Sequence, residues 1–241
     1  MKQDDLYRRP LDPVADFVFD DQVVAVFPDM IQRSVPGYAH VIAMSGVLAG
    51  YYAKPQTHLY DLGASLGATC HAIRTHVKAE GCTLIGVDNA PAMVDACQKL
   101  FMNENQTVLT KFVCADIREV EITRASVVTM NFTLQFVPIE DRLVLLRKIY
   151  AGMVEGGILL ISEKTLFTDV EKQARFTTLH HHFKRVNGYS DLEIAQKRAA
   201  IEHVLIPESI ETHLKRLEEA GFKCCDVWFQ SLNFSSFIAL K

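Results

Sequence analysis

The chain has 241 residues, and its 25 Lys and Arg against 29 Asp and Glu leave a formal charge of −4, which supplies no general attraction to nucleic acid and argues against direct nucleic-acid binding. Apolar residues make up 49%, enough for one sizeable core, yet no apolar run reaches the roughly 20 residues of a membrane span. Six scattered cysteines without C-x-x-C spacing speak against a zinc ribbon or a disulfide frame and for reduced thiols in a cytoplasmic protein.

The acidic start, Met1 to Asp5, has no apolar h-region, which predicts no secretory leader. Residues 1–55 then read as an N-terminal lid segment ahead of the first sheet strand. Phe17 to Phe27 is apolar with an acidic break, and Pro28-Asp29 is placed to open a short helix through Met30, Ile31 and Arg33. After the turn at Pro36-Gly37, residues 39–52 read as an apolar helix. Tyr38 stands at its start, either against a ligand or as an ordinary helix-start aromatic.

Leu59 to Gly67 is the most informative stretch. An apolar strand runs into the turn Gly63-Ala64-Ser65-Leu66-Gly67, a helix follows through Ile73 and Val77, and a second strand ends in Asp88-Asn89. Strand, small-residue turn, helix, strand and terminal acid describe a nucleoside-binding βαβ unit. Asp88 lies 25 residues past Gly63, near the spacing of about 20 at which such an acid accepts from a ribose diol. Ser65 stands where a pyrophosphate binder needs its second Gly, and no G-K-[ST] follows. The expected ligand is therefore a nucleoside without a phosphate chain, a description S-adenosylmethionine fits. A Gly turn that merely packs tightly is the competing reading.

The alternation continues with strands near 59–63, 83–88, 108–114, 126–131 and 157–162 and helices near 66–79, 91–103 and 139–153. That order predicts an α/β fold with a Rossmann-like, mostly parallel sheet in one domain, ligand at the carboxyl ends of the strands. Those ends carry Gly63, Asp88-Asn89, Asp116-Ile117 and Asn131. Asp116 suits an adenine amino group beside aliphatic Ile117, or else caps a turn. Asn131-Phe132-Thr133-Leu134 is not an N-P-P-Y turn, and no Pro-Cys pair occurs, so amino and cytosine-C5 methyl transfer are unsupported.

Residues 165–207 interrupt the alternation as a helical insertion after the fifth strand, with helices near 168–186 and 190–204 joined at Asn187-Gly188. The stripe Phe167, Val170, Phe176, Leu179 and Phe183 predicts a core or subunit interface. His180-His181-His182 do not converge on a metal, since neighbours on a helix point about 100° apart, and no metal site is expected. Lys184-Arg185 and Lys197-Arg198 are the dense basic features, either a solvated face or a carboxylate site. Ser209 caps a last helix that Gly221 ends, and a closing hairpin completes seven strands, the last entering antiparallel.

With these residues in place the chain resembles, over nearly its whole length, the class I S-adenosylmethionine-dependent methyltransferases, and within them the carboxy-S-adenosyl-L-methionine synthases. The resemblance is carried by Asp61-Leu-Gly-Ala-Ser-Leu-Gly67, Gly86-Val-Asp-Asn89, Asn131-Phe-Thr-Leu-Gln-Phe136, Phe183-Lys-Arg-Val-Asn-Gly-Tyr189, Gln196-Lys-Arg198 and Trp228-Phe-Gln230. It implies that S-adenosylmethionine and prephenate become carboxy-S-adenosylmethionine and phenylpyruvate, the product passing to a separate tRNA carboxymethyltransferase that modifies wobble uridines. It implies binding positions at Tyr38, Gly63, Ala64, Ser65, Asp88, Asn89, Asp116, Ile117, Asn131 and Arg198, with Arg198 holding the new carboxylate and arriving from the partner subunit of a homodimer. A conventional small-molecule methyltransferase would share the nucleoside pocket. A non-catalytic S-adenosylmethionine-binding subunit of a tRNA-modifying enzyme is the third reading.

Overall fold

Near-continuous runs of buried residues along the central strands build a sheet with two apolar faces. The structure, a computed structural model, describes residues 2–102 and 108–241. In chain order the strands are β1 (His58–Leu62), β2 (Thr83–Asp88), β3 (Leu109–Cys114), β4 (Ala125–Asn131), β5 (Met153–Leu166), β6 (Glu208–Ser209), β7 (Lys223–Ser231) and β8 (Phe234–Leu240). The helices are α1 (Asp21–Ser34), α2 (Tyr38–Tyr52), α3 (Ala68–His76), α4 (Pro91–Phe101), α5 (Ile139–Gly152), α6 (Val170–Val186), α7 (Asp191–Ile201) and α8 (Ile210–Ala220). The main sheet runs β3-β2-β1-β4-β5-β8-β7. β1 to β5 are parallel, and β8 enters antiparallel to both β5 and β7. The seven expected strands are joined by an eighth, two-residue β6 pairing with the end of β5.

Successive residues of β1 point to opposite faces, so Leu59 packs with Ile73, Val77 and Ala49, whereas Tyr60 and Leu62 pack with Leu145, Leu146, Ile149 and Leu217. Helices α2 and α3 therefore cover one face and α5 and α8 the other. Both clusters consist of side chains almost wholly removed from water, the Val, Leu, Ile, Phe and Met among them each contributing roughly 1.5–3 kcal/mol when buried.

Two boundaries and one burial pattern differ from the sequence expectation. α1 does not begin at Pro28. It begins at Asp21, because the Asp20 carboxylate accepts from the N–H groups of Gln22 and Val23, and it continues through Pro28. The interior proline costs about 3 kcal/mol, which burial of Val23, Val26 and Met30 along the same helix offsets. β5 does not stop at residue 162. Glu163 and Lys164 continue it, paired with Ser235 and Phe234 of β8. The α6 stripe does not form core along its length, since Val170 is 81% and Leu179 42% exposed, while Phe167 and Phe176 stack on one another at 4.7 Å.

α2 belongs to the helical layer. Its Gly46 and Gly50 let it lie directly on the α3 backbone, where a Cβ at Gly46 would stand 2.6 Å from the Ala72 carbonyl oxygen. Gly46→Ala should therefore destabilise the protein: overpacking costs about 1–3 kcal/mol, and the better helix propensity of Ala returns only about 1 kcal/mol. Urea unfolding followed by circular dichroism checks the sign.

Candidate active site

The turn after β1 is built for close approach. Gly63 has φ 86° and Gly67 φ 77°, the left-handed region that glycine enters without strain. A Cβ at Gly63 would lie 2.0 Å from Thr133 Oγ1, so the turn and the loop leaving β4 touch only because Gly63 has no side chain. The Gly63 and Ala64 N–H groups donate to the Val87 carbonyl at 2.8 and 2.9 Å. The Asp88 carboxylate accepts from Ser65 N at 2.8 Å and Ala90 N at 3.0 Å. Each of its oxygens keeps lone-pair capacity for a diol. Gly67 gives α3 no side-chain cap, leaving first-turn N–H groups and the positive end of the helix facing the turn.

Beside this turn a cavity of about 550 Å³ opens at the carboxyl ends of the strands, walled by Tyr38, Gly63, Ala64, Ser65, Asp88, Asn89, Asp116, Ile117 and Asn131. These are nine of the ten positions implied by the sequence. Asp116 is engaged by Arg118, which donates to it at 2.6 Å and to Asp141 at 2.6 Å. That guanidinium holds the Asp116 carboxyl below its ordinary range. The same Asp116 also closes a turn, accepting from Arg118 N at 2.8 Å, so a place on the cavity wall and the cap role coexist. Asn131 donates to Ser45 Oγ and Thr69 Oγ1, both at 3.2 Å, while its buried Oδ1 has no partner among the described residues. An orphaned acceptor on a cavity wall suits a ligand donor such as an ammonium group. Beneath the turn, Asp61 is buried, accepting from Thr129 Oγ1 at 2.8 Å and Cys70 Sγ at 3.2 Å. Burial pushes its carboxyl up to about 6 against those two bonds.

The opposite wall is basic. Lys164 at the end of β5, Lys184 on α6 and Lys197 on α7 all line the cavity. Lys197 is tied, at 3.4 Å from Asp4 and 3.1 Å from Ser34 Oγ. Lys184 is bare: burial first, then the positive charges of Lys197 and Lys164, push its amine down to about 7. Burial and Arg198 lower Lys164 likewise. His180 turns inward with Nε2 at 2.8 Å from the Ser34 carbonyl, and burial brings its ring down to about 3. His182 points outward into solvent.

Arg198 is not among the cavity-lining residues. It is 66% exposed on the outer face of α7, with Glu202 at 3.8 Å. Lys164 was not singled out from the sequence. Its signal was present, because an apolar strand that ends in Glu163-Lys164 delivers a charge to the ligand end of a parallel sheet. The N-terminal aromatics Phe17, Phe19 and Phe27 complete the lining from above.

A methyltransferase-domain profile matches residues 59–157. A carboxy-S-adenosyl-L-methionine synthase of Trichlorobacter lovleyi is 53% identical over 241 residues, covering 100% of this chain and 99% of its own. The chain belongs to the carboxy-S-adenosyl-L-methionine synthase family. A synthase of the same name from Aliivibrio fischeri is 51% identical over 238 residues, covering 99% and 98% of the two chains. The fold is that of class I methyltransferases. Human N-acetylserotonin methyltransferase, solved in complex with SAM, superposes with a TM-score of 0.62 at 18% identity over 92% of this chain and 55% of its own. As a synthase of this family the protein is an enzyme, a transferase, and the cavity is its candidate active site.

The bare lysine carries a pH signature. Its amine sits at about 7 in the folded protein against 10.5 in a free side chain. Between those values the unfolded chain holds a proton that the native state lacks, so this group makes stability rise with pH, by at most about 1.4 kcal/mol per pH unit. Lys184→Met removes that rise. In urea titrations of ligand-free protein the variant's gain over wild type should be greatest at pH 7 and shrink towards pH 10.

Proposed function

We propose that the cavity binds S-adenosylmethionine as substrate and that the protein converts it, with prephenate, to carboxy-S-adenosylmethionine and phenylpyruvate. The observation that carries this reading is one cavity with a nucleoside wall at the ends of β1, β2 and β4 and a wall of lysine amines facing it. Asp88 takes the ribose diol, Asp116 the adenine amino group beside Ile117, and Asn131 Oδ1 the substrate ammonium. Tyr38, half-buried and kept protonated by burial and by Asp61, donates from the lid side.

The chemistry divides into balanced steps. Prephenate loses carbon dioxide and hydroxide as its ring becomes aromatic, leaving phenylpyruvate. The hydroxide removes a proton from the methyl group that the sulfonium acidifies, giving water and an ylide. The ylide carbon attacks the carbon dioxide and forms the new carboxylate. The protein orients the two substrates, excludes water and stabilises the carboxylate, with no side-chain nucleophile. Phe17, Phe19 and Phe27 supply the water-excluding cover.

Arg198 is the proposed carboxylate-holding residue, contributed by the partner subunit of a homodimer. Its exposure on the outer face of α7, with one long ion pair to Glu202, leaves the guanidinium free to meet another copy. Val170 and Val186, 81% and 72% exposed on α6, supply apolar surface for that contact. The product serves a separate tRNA carboxymethyltransferase, and the work is cytoplasmic, in keeping with free cysteines and with no described helix long and apolar enough to cross a membrane.

Incubation with S-adenosylmethionine and prephenate should yield a nucleoside heavier by the mass of carbon dioxide, together with phenylpyruvate. Unchanged S-adenosylmethionine in the mass spectrum would overturn the reaction. Arg198→Ala should lower kcat by about 10²-fold or more, the loss expected when one preorganised charge contact to a developing anion is removed. Lys197, its inward neighbour, cannot substitute, being held by Asp4.

A further inference from the structure

We propose that Lys164 and Lys184 form a two-pronged seat for the carboxylates of the second substrate, a small dianionic dicarboxylic acid with an unsaturated six-membered ring. This inference rests on the reaction proposed above and assigns the part of the cavity that reaction leaves without a ligand.

The two amines come from separate elements. Lys164 ends β5, where its main-chain N–H donates to Gln135 Oε1 at 3.0 Å. That bond fixes the base of the side chain against the loop that leaves β4. Lys184 projects from the last turn of α6. Both side chains are half-buried and both line the cavity. Neither amine has a hydrogen-bond or ion-pair partner among the described residues, and the only charges acting on them are other cations. Lys197 differs, because Asp4 and Ser34 already occupy it. A half-buried ammonium group without a counter-ion is unfavourable in the empty protein. Two of them on one wall become favourable only when anionic groups of a ligand sit between them.

The surroundings limit what that ligand is. The titratable groups of α6 and α7 that interact with the two amines are His180, kept neutral by burial, His181, Lys197 and Arg198, so no acid on these helices competes for them. Phe132, Phe136 and Phe234 line the same cavity. Phe132 and Phe234 meet edge-on at 6.2 Å, a surface that accepts the face or edge of an unsaturated ring. The nucleoside substrate has one carboxylate, and its proposed contacts lie on the far wall, at Asp88, Asp116 and Asn131. Two cations and an aromatic surface match a ring bearing two carboxylates.

The test uses Lys164→Met, Lys184→Met and the charge-keeping Lys184→Arg, with Lys184→Gln as a second neutral variant of the same site. Prephenate binding is measured by calorimetry on protein loaded with S-adenosylhomocysteine, so that no turnover occurs, and prephenate KM is measured separately. Each methionine variant should weaken prephenate binding and raise its KM by at least about tenfold. S-adenosylhomocysteine affinity should stay unchanged, and Lys184→Arg should recover part of the loss. Methionine variants that turn over with unchanged prephenate KM would overturn the seat while leaving the reaction standing. A fall in S-adenosylhomocysteine affinity of similar size would also overturn it, by assigning the amines to the amino-acid carboxylate of the nucleoside. Wild type that neither binds prephenate nor carboxylates S-adenosylmethionine would remove both the reaction and the seat.

Discussion

A carboxylate sealed from water holds the site together. Glu163, at 0% exposure, accepts from Leu134 N at 2.8 Å and Gln135 N at 3.0 Å, the first N–H groups of the single 3₁₀ turn Leu134–Phe136. Burial pushes its carboxyl up to about 8, while these N–H groups and the nearby Arg142 pull the other way. Arg142, also at 0% exposure, donates to the Gln135 carbonyl at 3.1 Å and to the Ile206 carbonyl at 2.9 Å, and pairs with Glu208. The loop that leaves β4 is thus tied to β5 on one side and to the chain after α7 on the other. A buried ionisable group is expensive unless every lone pair is used, and here the expense fixes one loop conformation. Asn131, Thr133 and Lys164 take their places around the cavity as a consequence.

That frame gives the cavity opposite electrical walls. Asp88 and Asp116 line it at the end of β2 and just after β3, with Asp61 buried beneath the turn, and Lys164 lines it from β5 and Lys184 from the last turn of α6. Interactions between such groups are several times stronger in a partly desolvated pocket than in water. On the proposed reaction, a sulfonium beside the acidic wall and a dianion beside the basic wall keep their charges apart until the methyl carbon and carbon dioxide meet. No acid or base side chain need move a proton, because the departing hydroxide does so. The protein's contribution is then electrostatic placement and exclusion of water.

The frame of strands was legible from the alternation of strands and helices, and so was one wall of the cavity, because parallel strands deliver their terminal residues to one edge. Gly63, Asp88, Asp116 and Asn131 were each readable as the polar end of an apolar run. What stayed hidden depended on side-chain direction or on tertiary use of a charge. Pro28 looked like a helix start, because the Asp20 N-cap signal, more than two turns upstream, was outweighed by the proline. Glu163 and Lys164 looked like the end of β5, because a charge in a buried strand becomes tenable only when another loop uses it. Lys197 and Arg198 read as one basic feature, yet adjacent helical residues diverge by about 100°. One side chain goes to the cavity wall and the other to solvent.

The same divergence joins the cover of the site to its outer surface. Asp4 is buried, accepts from the Tyr189 hydroxyl and the Lys197 amine, donates its own N–H to the Asp29 carboxylate, and accepts from Arg33 at its carbonyl. Further along, Leu11 N donates to Gln196 Oε1 at 2.6 Å and Phe17 N to the Ala200 carbonyl at 2.9 Å. The N-terminal segment is therefore fastened to the inner face of α7 at successive turns before its aromatics reach over the cavity. α7 carries Lys197 and Gln196 inward and Arg198 outward, and its Ser190–Glu193 capping box fixes the helix start. On the proposed function, a displacement of α7 moves together the strap that covers the cavity and the arginine proposed to meet another copy. On that reading, covering the cavity and presenting Arg198 both follow from seating one helix of eleven residues against the N-terminal segment.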